Sequence, residues 1–251
     1  MGENGNILEI EDLARSFGAL KAVDGVSFRV KKGELSSIIG PNGAGKTTLF
    51  NLITGKTKPD RGRILFGGQD IAGLPSHEIT RIGLGRSFQV ENTFHSLSVF
   101  RNVQAAVISH QKKGKNIFVS ATALEEVNQK TKRVLEAIKL SDKADTLSEN
   151  LSHGDQKFLD IAITLAQDPE LILLDEPTAG MAPDERLKTM ELVKHLWGTL
   201  GLTVVFIEHD IDLVFSISQV IRVLHQGKLI AEGRPDEIRG NDEVKKAYLG
   251  E

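Results

Sequence analysis

A glycine-rich segment between an apolar run and a helical run constrains this chain more than any other feature. It follows the apolar run 35–39 and reads Gly40, Pro41, Asn42, Gly43, Ala44, Gly45, Lys46, Thr47 and Thr48. The spacing G-x-x-x-x-G-K-T between a strand and a helix is that of a phosphate-binding loop. Glycines allow the tight path that points backbone N–H groups into one concavity at the positive end of the helix. A plain glycine-rich turn would not require Lys-Thr at its end.

Two side chains of this segment are suited to phosphate chemistry. We predict that Lys46 reaches the β- and γ-phosphates of a nucleotide and that the Thr47 hydroxyl ligates Mg²⁺. Three runs, 35–39, 171–174 and 203–207, are mainly apolar and do not alternate with polar residues, as is typical of central strands covered on both faces. Helical patterns at 46–53 and 183–197 lie between them, which predicts an α/β fold with a parallel sheet.

Shorter, partly alternating runs suggest a second kind of sheet near the N-terminus. The runs 7–13, 23–30 and 62–66 predict short antiparallel strands. Near the C-terminus we predict a hairpin, with strands at 220–224 and 229–232 and a turn at 225–227.

The middle of the chain is poor in strand and turn signals. Proline is absent from 76 to 168, and between 90 and 168 glycine occurs only at Gly114 and Gly154, so this stretch is predicted to be mostly helical. Its clearest helix is predicted over 122–140. One buried face of that helix is expected to comprise Leu124, Val127, Thr131, Val134, Leu135 and Ile138.

Composition excludes several classes of protein. The chain has 251 residues, enough for one large domain or two modest ones, with 31 basic and 34 acidic side chains and no basic block, so we expect no nucleic-acid partner. With no cysteine, disulfides and thiolate metal sites are excluded. No secretory signal is recognised, and no apolar run approaches the roughly 18 to 20 residues that span a bilayer. Any membrane association is therefore expected to go through a partner.

An acidic pair follows the apolar run 171–174. Asp175 and Glu176 stand at the carboxyl end of this predicted strand, the edge at which ligands bind in open α/β sheets. Asp175 is suited to hold Mg²⁺ through water, and Glu176 is suited to polarise an attacking water. The alternative is a strand-end turn with an acidic helix cap, because Pro177 and Thr178 follow.

A third segment precedes the acidic pair by about twenty residues and reads Leu151, Ser152, His153, Gly154, Asp155 and Gln156. Ser152 is placed to cap a helix that begins near Asp155. That local role does not exclude another, since a helix N-terminus with a serine hydroxyl is also an anion receptor.

The three segments, in this order and spacing, resemble those of the nucleotide-binding subunit of ABC transporters over nearly the whole chain. The resemblance implies a P-loop NTPase core with a mixed, largely parallel sheet (1–89 and 165–251), an N-terminal antiparallel β subdomain and an inserted helical subdomain (90–164). It also implies a head-to-tail dimer that sandwiches two ATP molecules. The signature residues Ser152, His153, Gly154 and Asp155 of one subunit would then face the ATP bound by the other, with Ser152 and Gly154 contacting its γ-phosphate.

Three single residues gain a role only through this resemblance. Gln89 matches the glutamine that senses Mg²⁺ and the attacking water; by itself it would be a surface amide. His209 follows the run 203–207 and matches the histidine that contacts the γ-phosphate, although a lone histidine is usually packed or solvated. Phe17 matches the aromatic residue that stacks on adenine, with ordinary core packing as the alternative. Lys46, Glu176, His209 and Gln89 would form the catalytic set, and Thr47, Gln89 and Asp175 the Mg²⁺ site.

Closer likeness points to the ATPases of branched-chain amino-acid importers, and urea or amide importers and a lipopolysaccharide-export ATPase are close in pattern. The segments that carry it are Arg86-Ser87-Phe88-Gln89, Asp155-Gln156, Ala179-Gly180-Met181 and Ile207-Glu208-His209-Asp210. Two positions depart from the general family pattern. His153 replaces the usual signature glycine, and Ala182 stands where many relatives carry an aspartate, which puts in doubt any cross-interface contact by an aspartate there.

The sequence thus predicts an ATP hydrolase that uses Mg²⁺ and powers import, most simply of branched-chain amino acids, from the cytoplasmic face of the cell membrane. The expected partners are separate transmembrane permease subunits, a second ATPase subunit, identical or paralogous, and indirectly a substrate-binding protein. A soluble ABC ATPase acting in DNA repair or translation is one rival, but such proteins usually carry two cassettes or long insertions. A nucleotide kinase or GTPase is another, but it would lack the Leu151–Asp155 segment, and a GTPase would need an Asn-Lys-x-Asp motif that is not found.

Overall fold

The computed structural model describes residues 5–87, 93–111 and 121–249, without the side chains of 121–123 and 249. The strands are β1 (Asn6–Phe17), β2 (Leu20–Lys31), β3 (Leu35–Ile39), β4 (Arg61–Phe66), β5 (Gln69–Asp70), β6 (Leu84–Ser87), β7 (Leu171–Asp175), β8 (Thr203–Ile207), β9 (Val220–His225) and β10 (Lys228–Gly233). The helices are α1 (Lys46–Ile53), α2 (Ser76–Arg81), α3 (Val99–His110), α4 (Ala121–Ala137), α5 (His153–Leu165), α6 (Pro183–Leu200), α7 (Ile211–Ile217), α8 (Pro235–Gly240) and α9 (Asp242–Leu249).

The larger sheet has the order β10-β9-β3-β8-β7-β6 and is parallel except for β10. The three apolar runs predicted as central strands are β3, β8 and β7, and they are neighbours in its middle. Their side chains alternate between two apolar cores: Val204 and Phe206 face one, whereas Val205 and Ile207 face the other. Burial on both faces explains why these strands lack polar alternation and confirms the predicted parallel sheet.

The smaller sheet is antiparallel, in the order β2-β1-β4-β5. The expected strands are present, but β1 and β2 are 12 residues each and so longer than predicted. Pairing extends them beyond the apolar runs as far as Phe17 opposite Leu20, on either side of a tight turn. This extension places Phe17 at the tip of the hairpin, beside the loop that follows β3.

The helical part is predicted correctly in kind but not in every residue. On α4, Val127, Thr131 and Leu135 are buried and Val134 is partly buried, and Ile138 is buried just after the helix. Leu124 is 46% exposed and does not belong to the buried face. The helix ends at Ala137 rather than 140, and Lys139 has a positive φ of 60° that helical continuation does not allow.

Helices α6 and α5 each differ from what the sequence suggested. Helix α6 continues three residues past the predicted end and stops at Gly201, whose φ is 64°. Helix α5 packs on α3 and α4 but also on β6 and α6, so it joins the helical layer to the sheet. The division at 90 and 164 stays a prediction. Within the described residues, no helix is long and apolar enough to cross a membrane.

The late hairpin turns at two residues, Gln226 and Gly227, both with positive φ. A two-residue turn of this kind suits the twist of antiparallel strands. The Gly227 N–H donates to the Ala44 carbonyl at 3.0 Å, so the hairpin supports the glycine-rich loop after β3.

Candidate functional site

The glycine-rich loop forms at the carboxyl end of β3 and leads directly into α1. Two of its glycines lie too close to neighbouring backbone to carry a side chain: a Cβ on Gly40 would collide with the Leu224 carbonyl oxygen, and one on Gly45 with that of Ala22. Gly45 has a φ of 102°, and α1 has neither a side-chain cap nor an acidic residue in its first turn. The positive end of α1 therefore faces this loop with no acidic residue in its own first turn to neutralise it.

Lys46 lies inside the loop and is only 6% exposed. Its ammonium group donates to the carbonyl oxygens of Gly40 at 2.7 Å and Pro41 at 3.1 Å. Burial lowers the pKa of Lys46, and the carboxylates of Glu176 and Asp175 act in the opposite direction. The loop thus holds a cation on its own carbonyl oxygens, at a place where an anion would be a stronger partner.

A cavity of about 280 Å³ opens in front of this loop. It is lined by Phe17, Leu20, Ala22, Asn42, Gly43, Ala44, Gly45, Lys46, Thr47, Thr48, Glu176 and His209. The structure therefore brings the loop together with three residues predicted from distant parts of the chain. Phe17 is 49% exposed, with the Arg15 guanidinium 5.0 Å from its ring centroid, so the core-packing alternative for Phe17 is wrong.

Glu176 and His209 meet at the end of two neighbouring strands. Nε2 of His209 lies 2.8 Å from Oε1 of Glu176, and the Glu176 N–H donates to the Ile207 carbonyl at 3.0 Å. Glu176 has a φ of 48°, a conformation that costs energy for a residue with a Cβ. The turn after β7 thus holds this carboxylate against the histidine after β8.

Asp175 is paired with Arg86, the side chains being 11% and 6% exposed. The Arg86 guanidinium also donates to Asn51 Oδ1 at 2.7 Å. Sequence reasoning used Arg86 only as a mark of likeness, and its pairing with Asp175 was missed because no local pattern joins the two.

The oxygen donors near the cavity fit a magnesium ion. Thr47 offers a hydroxyl and Asp175 a carboxylate of which Oδ2 is engaged by Arg86. The described residues contain no group of three His, Cys, Asp or Glu side chains that could hold a metal alone. Two protein oxygens fit Mg²⁺, which usually takes one or two of them and completes its shell with phosphates and water. Gln89, the third predicted ligand, lies outside the described residues.

The signature segment lies apart from the cavity. Ser152, His153, Gly154 and Asp155 are all described, and none of them lines the cavity. Ser152 caps α5 by accepting from the Asp155 N–H at 3.2 Å and donates to Asp155 Oδ2 at 2.6 Å. Asp155 also binds Lys143 at 2.6 Å, which raises the pKa of Lys143. His153 Nε2 lies 3.2 Å from the Ala179 carbonyl oxygen, in the turn after Glu176.

Two residues near the site were not singled out from the sequence. Tyr248 of α9 shares a hydrogen bond with the backbone of Gly40, and burial raises its pKa to about 12. Glu208, beside His209, is buried and binds the turn after Glu176. Glu208 could have been recognised from the sequence as an acidic residue directly after an apolar strand. The sequence contained no signal that would have placed Tyr248 near the site.

A second cavity, a groove of about 400 Å³, lies between the sheet and the helical layer. Phe94 lines it and is 61% exposed, although its backbone is held by the buried Asn102 at 2.8 Å and by Ser148 at 2.9 Å. Asp160 of α5 also lines the groove. Burial raises the pKa of Asp160 to about 7, while hydrogen bonding from Ser87 acts in the opposite direction.

Comparison with known proteins finds relatives over nearly the whole chain. A family model described as "ABC transporter" matches residues 23–179, and one described as "Branched-chain amino acid ATP-binding cassette transporter" matches 228–251. The chain is 39% identical over 98% of both chains to the high-affinity branched-chain amino acid transport ATP-binding protein LivG of Escherichia coli K12.

Solved structures are similar over comparable lengths. An ATP-binding cassette of an ABC transporter in its ADP conformation has a TM-score of 0.85 at 33% identity, covering 98% of this chain and 99% of that chain. A dimeric cassette in a post-hydrolysis state, bound to ADP and Pi, has a TM-score of 0.75 at 28% identity, covering 91% of this chain and 98% of that chain.

Proposed function

The chain belongs to the ATP-binding cassette family of ABC transporter ATPases, and from that premise we propose that it hydrolyses MgATP to power the import of branched-chain amino acids. The observation that carries the proposal is the cavity shared by Phe17, the loop around Lys46, Glu176 and His209. These residues come from four separate parts of the chain, and together they provide an aromatic face, a phosphate cradle, a carboxylate and an imidazole.

Each group has one task in this mechanism. Phe17 stacks on adenine, and the loop N–H groups and Lys46 bind the phosphates, so that Lys46 exchanges the carbonyl oxygens of Gly40 and Pro41 for phosphate oxygens. Glu176 orients and polarises the attacking water, and His209 and Gln89 complete the site. Because the loop and the positive end of α1 are already in place, they stabilise phosphate charge without reorganisation during the reaction.

Thr47 and Asp175 are the residues that would hold Mg²⁺, with Gln89 as a further ligand. When bound, the ion neutralises charge on the β- and γ-phosphates. The ion pair with Arg86 holds that carboxylate in a fixed orientation.

A second cassette, identical or paralogous, completes the site. The signature residues of this chain do not line its own cavity, and Ser152 and His153 are exposed at the start of α5. In a head-to-tail dimer this helix end, with its Ser152 hydroxyl, would contact the γ-phosphate held by the other subunit's loop.

The groove that Phe94 lines is proposed as the docking site for a cytoplasmic helix of a transmembrane permease subunit. The backbone of Phe94 is held by hydrogen bonds while its ring is exposed, as expected of an apolar residue that contacts a partner helix. The chain would then act at the cytoplasmic face of the membrane, and a substrate-binding protein would deliver the amino acid to the permease.

Two measurements test the proposal. Purified chain should release phosphate from MgATP, and a deletion of its gene in the native host should abolish uptake of radiolabelled leucine, isoleucine and valine while urea uptake persists. Loss of urea uptake alone would reassign the cargo. Lack of any Mg²⁺-dependent ATP hydrolysis by the assembled transporter would contradict the mechanism itself.

A further inference from the structure

Glu208 is a buried acidic residue at the edge of the proposed ATP site, and both of its carboxylate oxygens accept hydrogen bonds. It directly follows β8 and is only 4% exposed. Its Oε1 accepts from the backbone N–H of Thr178 at 2.8 Å and from the Thr178 hydroxyl at 2.7 Å. Its Oε2 accepts from the backbone N–H of His209 at 3.2 Å. One side chain therefore holds both the turn after β7 and the backbone of the histidine after β8.

These bonds close a ring of contacts around Glu176. Thr178 lies two residues after Glu176 in a tight turn, in which the Ala179 N–H donates to the Glu176 carbonyl at 3.1 Å. On the other side, the His209 imidazole contacts the Glu176 carboxylate at 2.8 Å. Any shift of either strand end would change the position of Glu176 relative to His209.

Packing alone does not explain an acidic residue here. The preceding residues Val205, Phe206 and Ile207 fill the two cores with apolar side chains, and burial of a carboxylate is costly unless hydrogen bonds compensate it. We propose that Glu208 is a positioning residue, which sets the distance between His209 and Glu176 through its bonds to Thr178 and to the His209 backbone. The inference rests on the proposed function of those two residues.

Two substitutions separate positioning from bulk stability. In Glu208→Gln the amide oxygen can still accept both bonds from Thr178, but its NH₂ group then faces the His209 N–H, donor against donor. In Thr178→Val the shape and the backbone bond are kept and only the hydroxyl donor is removed. A matched control is Glu34→Gln, because Glu34 is also buried, at 7% exposed, and lies just before β3, at the opposite end of the sheet, where it binds Arg222.

Steady-state ATP hydrolysis by the purified full chain is the primary measurement. We expect Glu208→Gln to lower kcat about tenfold with KM for MgATP changed less than about twofold, since a lost bond to a buried donor costs about this much and the binding loop is untouched. Thr178→Val should lower kcat in the same direction and by less. Glu34→Gln should lower the Tm and leave kcat at the wild-type value.

A double variant identifies the route of the effect. If Glu208 acts through His209, Glu208→Gln should lower the single-turnover rate of His209→Ala less than about twofold, because interacting residues are not additive. A full tenfold loss in that background, a wild-type kcat in Glu208→Gln, or an equal loss in Glu34→Gln would each overturn the inference.

Failure of the proposed function has a different signature. If Glu176→Gln or His209→Ala hydrolyses ATP at the wild-type rate, the roles given to those residues are wrong, and the positioning role falls with them. If Glu208→Gln fails to fold, the comparison between Thr178→Val and Glu34→Gln decides the question, and equal kcat values for these two variants overturn the inference.

Discussion

Nε2 of His209 lies 2.8 Å from Oε1 of Glu176, although the two residues are 33 positions apart in the chain. They meet because β7 and β8 are parallel neighbours whose carboxyl ends coincide, with Asp175 paired to Ile207. A carboxylate in a strained turn and an imidazole that contacts it thus line one cavity with the glycine-rich loop. This relationship makes Glu176 the first residue to test.

Replacement of Glu176 by glutamine should stop chemistry and not binding. The amide keeps the shape of the side chain but cannot act as a base, so turnover should fall at least about 10²-fold while ATP affinity is retained. Phosphate release and nucleotide titration on the purified variant measure the two effects. Glu170→Gln, on an exposed side chain just before β7, is the matched control and should behave as wild type. Near-normal turnover in Glu176→Gln would remove this residue from the mechanism.

Phe17→Ala should weaken nucleotide binding with the fold intact. Base stacking on an aromatic ring contributes about 1 to 3 kcal/mol, so the Kd for ATP should rise roughly 5- to 150-fold. Because Phe17 is 49% exposed, its removal leaves no core cavity, and the Tm should change little. Phe17→Trp is the control and should restore affinity. Unchanged affinity in the alanine variant, measured by titration, would exclude the stacking role.

Phe94→Asp should break assembly without unfolding the chain. The ring is exposed and the backbone is held separately, so a charge there should weaken binding to the permease subunits about 30-fold or more, as loss of a central interface residue does. ATP hydrolysis by the isolated chain should stay near normal. Co-purification with the membrane subunits and transport in vesicles measure the effect. The control is Leu200→Asp, because Leu200 is also an exposed apolar residue, at 50%, and lies at the end of α6 outside the groove; this variant should assemble normally. Normal assembly and transport in Phe94→Asp would show that Phe94 is not an anchor of docking.

Asp160 should make stability fall as the pH rises. Burial raises its pKa from 3.8 to about 7, against the opposing effects of Ser87 and Lys157, so the folded state binds more protons than the unfolded state between these two values. The stabilisation that proton binding by Asp160 gives to the folded state is fully present below pH 3.8 and is lost as the pH rises through 7. The free energy of unfolding should therefore fall by on the order of 2 kcal/mol between pH 5 and pH 7.

Asp160→Asn should remove that dependence. Urea unfolding at several pH values should show the variant gaining stability relative to wild type from pH 5 to 8. Asp242→Asn, on a side chain that is 86% exposed, is the control and should parallel wild type. Parallel curves for Asp160→Asn and wild type would mean that the Asp160 pKa is not raised.

Much of the fold was predictable because it follows from local patterns. The strands β3 and β8 have the predicted bounds, since runs of mainly apolar residues without polar alternation are typical of strands buried on both faces. The two serines of β3, Ser36 and Ser37, are buried with hydrogen-bond partners that the sequence did not indicate. The predicted buried face of α4 was correct from Val127 onward and wrong at Leu124. The spacing of apolar residues shows which side of a helix can be buried, but it does not show where along the helix the neighbouring elements stop covering that side. The length of β1 was underestimated because pairing with β2 continues into polar residues.

The sequence by itself determined where the glycine-rich loop, the acidic pair and the cap of α5 lie, because each is a run of consecutive residues that a local pattern identifies. Only the tertiary structure decided which distant groups meet: Arg86 with Asp175, Glu208 with Thr178, and Tyr248 with Gly40. Such pairs depend on the order of the strands in the sheet and on the path of the connections between them. A hydrogen bond between residues far apart in the chain produces no periodic pattern in either segment. The physical cause is burial, because a polar group that is removed from water is costly unless the fold brings a hydrogen-bond partner to it.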